Sequence, residues 1–365
     1  MLAMMDHMKK ARTGEQPSAR IDKETFLERY RQHFFDPSFD GAYDEISKLA
    51  EQAWENYSDS RKAPRTQKGG AEFADPDYDL SIEWLETRQR LLNAEKIHQQ
   101  SERLRFLVIH ASPRNEHTCP GEYSKSYRLA QTAMEELRTD GNHDIDFLDL
   151  SLLTAEYGKH IHPCKACVST AMPLCHWPCS CYPNNSLNQI NDWMADIYEK
   201  WVLAHGVLII TPVHWYQAPS VLKLMMDRLV CADGGNPDPT TTHGKKANEA
   251  KELERKGWDY PKHLKNRAFA LYVHGDVVGT ETLRRQLTDW LCDMQMMPAD
   301  YEGLKDHYIG YQEEYADNHM HLDKDKKAFD EIRNVVKALR FKTEQIRNLP
   351  TLVRNREAVK DPHPK

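Results

Sequence analysis

The sequence predicts a doubly wound α/β protein, a parallel five-stranded sheet covered by helices on both faces and preceded by a helical N-terminal extension. Two observations predict it. Short, nearly continuous apolar runs at 104–110, 145–150, 205–211 and 268–274 alternate with amphipathic stretches of ten to twenty-five residues, and strands that read as unbroken apolar runs are those buried on both faces of a parallel sheet. The hydrophobic period also changes at Leu104 from helical spacing to a strand run, so the sheet domain begins there and the first hundred residues lie outside it.

In that N-terminal segment Phe26, Leu27, Tyr30 and Phe34 recur at helical spacing, as do Ile46, Leu49, Ala50, Ala53 and Trp54, and no strand signal is present. The Pro-, Gly- and charge-rich stretch near 61–78 reads as a linker, after which Ile82, Leu85, Leu92 and Ile97 mark a third helix. The first strand, Leu104 to His110, is followed by a helix through Tyr127, Leu129, Ala130, Ala133, Met134 and Leu137 that stops before Gly141. A second strand (Ile145 to Leu150) completes one β-α-β unit. A helix over 187–201, a strand at His205 to Thr211, a helix at 220–230, a strand at Ala268 to His274 and a helix at 280–296 continue the alternation, with right-handed crossovers. A fifth strand is placed within the polar stretch 299–311 because the sheet needs it, and 323–347 supplies the last helix. The division is thus 1–100 as extension, 101–350 as the sheet domain and 351–365 as a polar tail. The charged segment 244–257 is a long polar excursion between the third and fourth strands.

The chain is long enough for one full core plus an additional module. A formal net charge of -7 in 365 residues, with basic residues in runs of no more than two, gives no footprint for a phosphate backbone, so nucleic acid is excluded as a partner. The N-terminus has no apolar core before a small-residue cleavage site, and no later run reaches bilayer-spanning length. These features lead to the expectation of a cytoplasmic protein without a membrane partner.

In an open α/β sheet, ligands bind outside the carboxyl ends of the strands. The loop after the first strand reads Ala111-Ser112-Pro113-Arg114-Asn115, continues through an insertion at 116–123, and enters a helix at Ser124-Lys125-Ser126. Hydroxyls and unpaired N–H groups at a helix N-terminus suit a phosphate. Neither a Walker-type loop nor a G-x-G-x-x-G run follows this strand, which argues against a nucleotide triphosphatase and a dinucleotide-binding Rossmann site. The loop after the third strand, Thr211-Pro212-Val213-His214-Trp215-Tyr216-Gln217-Ala218-Pro219, is dense in rings that can lie against a planar ligand. The fourth strand ends in His274-Gly275-Asp276, where a glycine lets backbone approach a ligand edge.

These loops resemble those of the NADPH-dependent FMN reductase family of flavodoxin-like proteins, over about Leu104 to Met297. The resemblance implies that Ser112, Arg114, Ser124 and Ser126 hold the phosphate of FMN. It further implies that Pro212, Val213, His214, Trp215 and Tyr216 line the isoalloxazine ring, with His274, Gly275 and Asp276 near its pyrimidine end. NAD(P)H would be the donor, and a quinone, a free flavin or a nitroaromatic would serve as small-molecule acceptor. Such chemistry needs no dedicated nucleophile or acid–base triad. A homodimer or homotetramer is implied as well, because in this fold family a second subunit commonly supplies a wall of the flavin site. The alternative is an electron-transfer flavoprotein that serves a protein partner.

Cysteines are concentrated after the second strand. Cys164, Cys167, Cys175, Cys179 and Cys181 follow a C-x2-C-x7-C-x3-C-x-C spacing, with His160 and His162 just before them. Thiolates gathered on one loop can ligate a [4Fe–4S] cluster or a zinc ion. The position resembles the cysteine motif of iron-sulfur flavoproteins, although Thr170 stands where that motif has its third cysteine. A redox-active thiol pair and reduced cysteines packed as small hydrophobes are the other two readings.

Overall fold

The computed structural model describes residues 21–58, 65–118, 121–139, 141–183, 192–311 and 318–349. The polar tail, the beginning of the helix expected at 187–201 and the Cys119-Pro120 part of the insertion lie outside the described residues. In chain order the elements are α1 (Lys23–Arg31), α2 (Tyr43–Ser58), β1 (Thr66–Lys68), β2 (Asp79–Ser81), α3 (Ile82–Gln100), β3 (Leu104–His110) and α4 (Lys125–Arg138). They continue with β4 (His143–Asp149), α5 (Leu152–Ala155), α6 (Met194–Leu203), β5 (Gly206–Pro212), α7 (Ser220–Arg228), α8 (Ala247–Arg255) and β6 (Ala268–Gly275). Last come α9 (Thr280–Asp293), β7 (Met297–Pro298), β8 (Leu304–Tyr308), α10 (Asn318–Lys324) and α11 (Lys326–Asn348).

The chain divides into two compact units: Met1–Arg90 with His162–Ala195 and Gly234–Pro261, and Leu91–Ile161 with Asp196–Asp233 and Lys262–Lys365. The second holds the sheet. Its strands run parallel in the order β4-β3-β5-β6, with β7 and β8 both pairing along the outer side of β6. The order reverses between β3 and β5, and this sets the crevice at the carboxyl ends of those strands. Burial explains the apolar runs: every residue of β6 is buried, as are Phe106, Leu107, Val108 and Ile109 of β3. On one face α4 and α11 cover the sheet, packing Leu129, Ala133, Ile332, Val335 and Leu339 against Phe106, Val108, Leu208 and Ala270. Each such leucine, isoleucine, valine or phenylalanine removed from water contributes about 2 kcal/mol. Helix ends are set locally: the Ser124 side chain caps α4 at the Tyr127 N–H, and Asp325 caps α11 at the Ala328 N–H.

The fifth strand position is occupied, but by two short pieces. β7 pairs with Ala268 and Phe269, β8 with Leu271 to Gly275. Between them the chain turns tightly at Gly303, where a Cβ would meet the Ala299 carbonyl oxygen at 2.4 Å. This interruption explains why no continuous apolar run marks the strand.

The other unit differs from the sequence expectation in one respect. Part of the presumed linker near 61–78 forms an antiparallel ribbon, with Thr66 opposite Ser81 and Lys68 opposite Asp79. Three-residue strands carry too little alternation to be read from sequence. The ribbon leads into α3, where Phe73, Leu80 and Trp84 form a small core. The Trp84 indole N–H donates to the Pro178 carbonyl at 2.8 Å, so the cysteine-rich segment belongs to this unit. Ala171 and Leu174 pack on Ala250 of α8, which brings the polar excursion in beside the cysteines.

Candidate functional site

At the carboxyl ends of β3, β5 and β6 the sheet domain brings three predicted loops together. Val213 N–H donates to the His274 carbonyl at 2.9 Å, tying the β5 loop to the end of β6. Ser126, at the start of α4, meets His274 Nε2 through its Oγ at 2.7 Å, tying the β3 loop to the same strand. Gly279 packs against Tyr216; its φ of +108° and the 3.2 Å that would separate a Cβ from Tyr216 Cα restrict this position to glycine. The Lys125 ammonium is held by the Ile309 carbonyl at 3.0 Å and lies over the Tyr311 ring. Burial lowers its pKa, and the Asp276 carboxylate opposes that.

In the phosphate-type loop, the residues gather as expected but their hydroxyls have protein partners. Ser112 Oγ accepts from the Arg114 N–H at 3.2 Å. Ser124 Oγ sits 2.8 Å from His110 Nε2, and His110 Nδ1 is 2.7 Å from Asp149 Oδ1. Sequence reasoning missed this chain of bonds. Its signal lies in strand register, since His110 and Asp149 are opposed at the carboxyl ends of adjacent parallel strands. The Asp149 pKa is lowered: burial works to raise it, but the hydrogen bonds from His110 and Ser151 prevail. Ser124 is buried and already caps α4, so His110 and Asp149 position a hydroxyl rather than form an exposed nucleophile. By helix geometry the Lys125 and Ser126 N–H groups have no carbonyl within the helix to bond, which suits them to an anion.

The β5 loop presents its rings outward. Trp215 and Tyr216 are 92% and 59% exposed and take up consecutive left-handed backbone conformations, φ 47° and 66°. Left-handed geometry costs a non-glycine residue about 1 kcal/mol or more, so the turn spends stability to hold two large flat side chains in solvent. The turn is closed by reciprocal His214 and Gln217 backbone bonds, both 2.9 Å. Burial lowers the His214 pKa. Val213 is buried and Pro212 half-buried.

His274 is placed differently from its expected role. Its imidazole is buried and engaged with Ser126, and burial lowers its pKa to about 3, with the Lys125 charge adding to the effect. It braces Ser126 from within the sheet. Gly275, by contrast, is not required by the protein's own packing, since a Cβ there would meet only Val213 and Thr280 at 3.6–3.8 Å. A small residue at a strand end with room for a larger one suits a ligand edge lying close to the backbone. Helix-end donors with a cation, exposed flat rings and an open glycine edge fit the phosphate, ring system and pyrimidine edge of FMN respectively.

The cysteine segment has its own geometry. Cys167 Sγ and Cys181 Sγ are 3.4 Å apart, and the Lys245 ammonium lies 3.6 Å from Cys167 Sγ while donating to the Leu174 carbonyl at 2.6 Å. Hydrogen bonding to Cys181 lowers the Cys167 pKa to about 7 against the opposing effect of burial, and the Lys245 charge assists. Cys164 Sγ accepts from the Ala166 N–H at 3.3 Å. Among the described residues no three His, Cys, Asp or Glu side chains are grouped to hold a metal ion. The expectation of a [4Fe–4S] cluster or zinc on Cys164, Cys167, Cys175, Cys179 and Cys181 therefore finds no support here: an ammonium group occupies the neighbourhood of the thiols. Lys245 could not be found from sequence, because it lies in a charged stretch that reads as solvated.

No described helix is long and apolar enough to cross a membrane. No curated protein matches the chain. Among solved structures it is similar to RosB with bound 8-demethyl-8-formylriboflavin-5'-phosphate, at 14% identity and TM-score 0.45, covering 68% of this chain and 81% of that one. It is also similar to a flavone reductase (15%, TM-score 0.37, 67% and 65% covered) and to the azoreductase AzrA (12%, TM-score 0.37, 66% and 99% covered). The profile of the NADPH-dependent FMN reductase family matches residues 104–304, more than half of the chain and the whole stretch that builds the three loops. The fold is flavodoxin-like, and the chain belongs to the NADPH-dependent FMN reductase family, an FMN-dependent oxidoreductase that draws its electrons from a nicotinamide.

Proposed function

We propose that this enzyme passes electrons from NAD(P)H through FMN to a small planar acceptor, a quinone, a free flavin or a nitroaromatic. The observation that supports this most is the pair of solvent-exposed rings, Trp215 and Tyr216, held at a backbone cost at the carboxyl end of the central strand. An open aromatic shelf can receive nicotinamide and acceptor in turn over one flavin face. Bound FMN supplies the electron storage. The chain's own residues do the rest. Ser112, Arg114 and the N-terminus of α4 hold the phosphate, with Ser124 and Ser126 fixed from behind by His110 and His274. Pro212, Val213, His214, Trp215 and Tyr216 carry the ring, and Gly275 and Asp276 border its pyrimidine end. Orientation and exclusion of water are what such a site contributes.

The cytoplasm is the proposed compartment. A homodimer or homotetramer is the proposed assembly, because the exposed rings leave the outer wall of the site open to a second copy. Anaerobic titration of FMN-loaded protein with NADPH, followed by mixing with a quinone, tests the reading. Bleaching of the flavin absorbance and its return on quinone addition, with sustained turnover, is the expected result. Flavin binding without NAD(P)H oxidation would replace it with an electron carrier serving a protein partner.

A further inference from the structure

We propose that Cys167 and Cys181 form a redox-active dithiol that hydroperoxides oxidise to a disulfide, with the Lys245 ammonium as the built-in counter-charge of the attacking sulfur. The two sulfurs are 3.4 Å apart across a 14-residue segment, and closing to the bonded distance of about 2.05 Å asks for a further approach of roughly 1.4 Å. Cys167 begins a single turn (Cys167–Ser169) and Cys181 lies in a loop, so neither sulfur is locked in a long helix or a ladder. Both are partly exposed, whereas Cys175 is buried.

Lys245 makes this pair different from packed, inert cysteines. Its side chain is partly buried, and the largest charges that favour its protonated form against burial are those of Cys181, Cys167, Cys179 and Cys175. An ammonium drawn partly out of water favours an anion beside it, and the Cys167 sulfur lies 3.6 Å away. The Leu174 carbonyl fixes the amine in place, so the charge stands ready before any oxidant arrives.

The Cys167 thiolate attacks one oxygen of hydrogen peroxide, the O–O bond breaks, and the departing hydroxide takes the proton released by that thiol to give water, leaving Cys167 as a sulfenic acid. Cys181 sulfur then attacks Cys167 sulfur, the S–O bond breaks, and the leaving hydroxide takes the Cys181 proton to give a second water. Two thiols lose two electrons, and one peroxide is reduced to two waters.

The test treats the full chain with a small excess of hydrogen peroxide, blocks remaining thiols with N-ethylmaleimide and maps peptides without reduction. A Cys167–Cys181 linked peptide, reversed by dithiothreitol, is expected. In Cys181→Ser, dimedone should trap a sulfenic acid at Cys167. Lys245→Met should slow oxidation of Cys167 about tenfold, and Lys245→Arg, which keeps the cation, should retain most of the rate. Thermal unfolding of each variant separates a lost charge from a lost fold. Disulfides through other cysteines, an unchanged rate in a folded Lys245→Met, or one zinc or iron site per chain that disappears in Cys167→Ser would each overturn the proposal.

Discussion

The strand-end site and the cysteine segment are both built from loops, but they are held by different means. At the strand ends, backbone ladders set the geometry. β3, β5 and β6 lie in parallel register, so the residues that follow them emerge side by side, and side-chain bonds such as Ser126 to His274 only refine the placement. The cysteine segment has single turns in place of ladders. A lone backbone bridge between His176 and Asn236 and side chains reaching for carbonyls hold it: Trp84 to Pro178, Asn236 to Pro173, Lys245 to Leu174 and Tyr182 to Pro163. A site built on register tolerates the loss of one side chain. A segment held mainly by individual side-chain bonds does not, because each lost donor leaves a carbonyl unpaired.

Truncating Trp84, which is 1% exposed, tests this difference most severely. Trp84→Ala should cost about 3–5 kcal/mol through the cavity and the orphaned Pro178 carbonyl. Protease cleavage within 162–183 should rise while the sheet domain stays protected; equal protection of both would end the distinction.

Acid should work on the sheet domain instead. Burial holds His98 at about 2, His205 at about 4 and His274 at about 3, all below the ordinary value of about 6.5. The unfolded chain takes up these protons as pH falls through 6.5 while the folded chain does not, so stability is present above that value and lost below it. By pH 5.5 each histidine should remove about 1 kcal/mol, and His274→Gln should flatten the denaturation-versus-pH curve by that share.

A smaller effect is expected at the relay behind Ser124. Asp149→Asn removes the carboxylate that orients His110 and should weaken FMN binding about tenfold, or about 1.4 kcal/mol, with turnover recovering at saturating FMN. Titration of flavin fluorescence reads it; unchanged affinity would make the relay purely structural. The turn itself should respond less: Gly279→Ala forces a Cβ against Tyr216 at a left-handed φ and should cost about 1 kcal/mol. Smallest for stability is Trp215→Ala, which should fall within about 0.5 kcal/mol yet raise the KM for a planar acceptor. A large loss of stability there would mean that the ring supports the fold and is not a shelf.

The same contrast explains what could be read from sequence. β3, β5 and β6 were legible almost to the residue because strands buried on both faces leave apolar runs, and the loops after them were legible because topology fixes where strand ends go. β1 and β2 were not, as strands of three residues are too short to carry a period. β8 was legible only by counting what the sheet lacked, since its edge position lets Lys305, Asp306, His307 and Tyr308 replace an apolar run. The cysteine spacing was visible, but its partner was not: Lys245 comes 64 positions after Cys181, in a stretch whose charge looks like ordinary surface. A histidine at a strand end gives no sign in the sequence of whether it faces a ligand or a neighbouring serine, and the bond of His274 to Ser126 is visible only in the structure.

The broken fifth strand bears on how copies of this chain can meet. An edge that ends in a two-residue piece, a tight turn and a charged strand makes a poor template for an incoming strand. At the opposite edge, β4 carries Asp144 and Asp146 paired with Arg105. Both borders of the sheet are thereby guarded against open-ended growth into fibres, and closed assemblies must form through helices and loops.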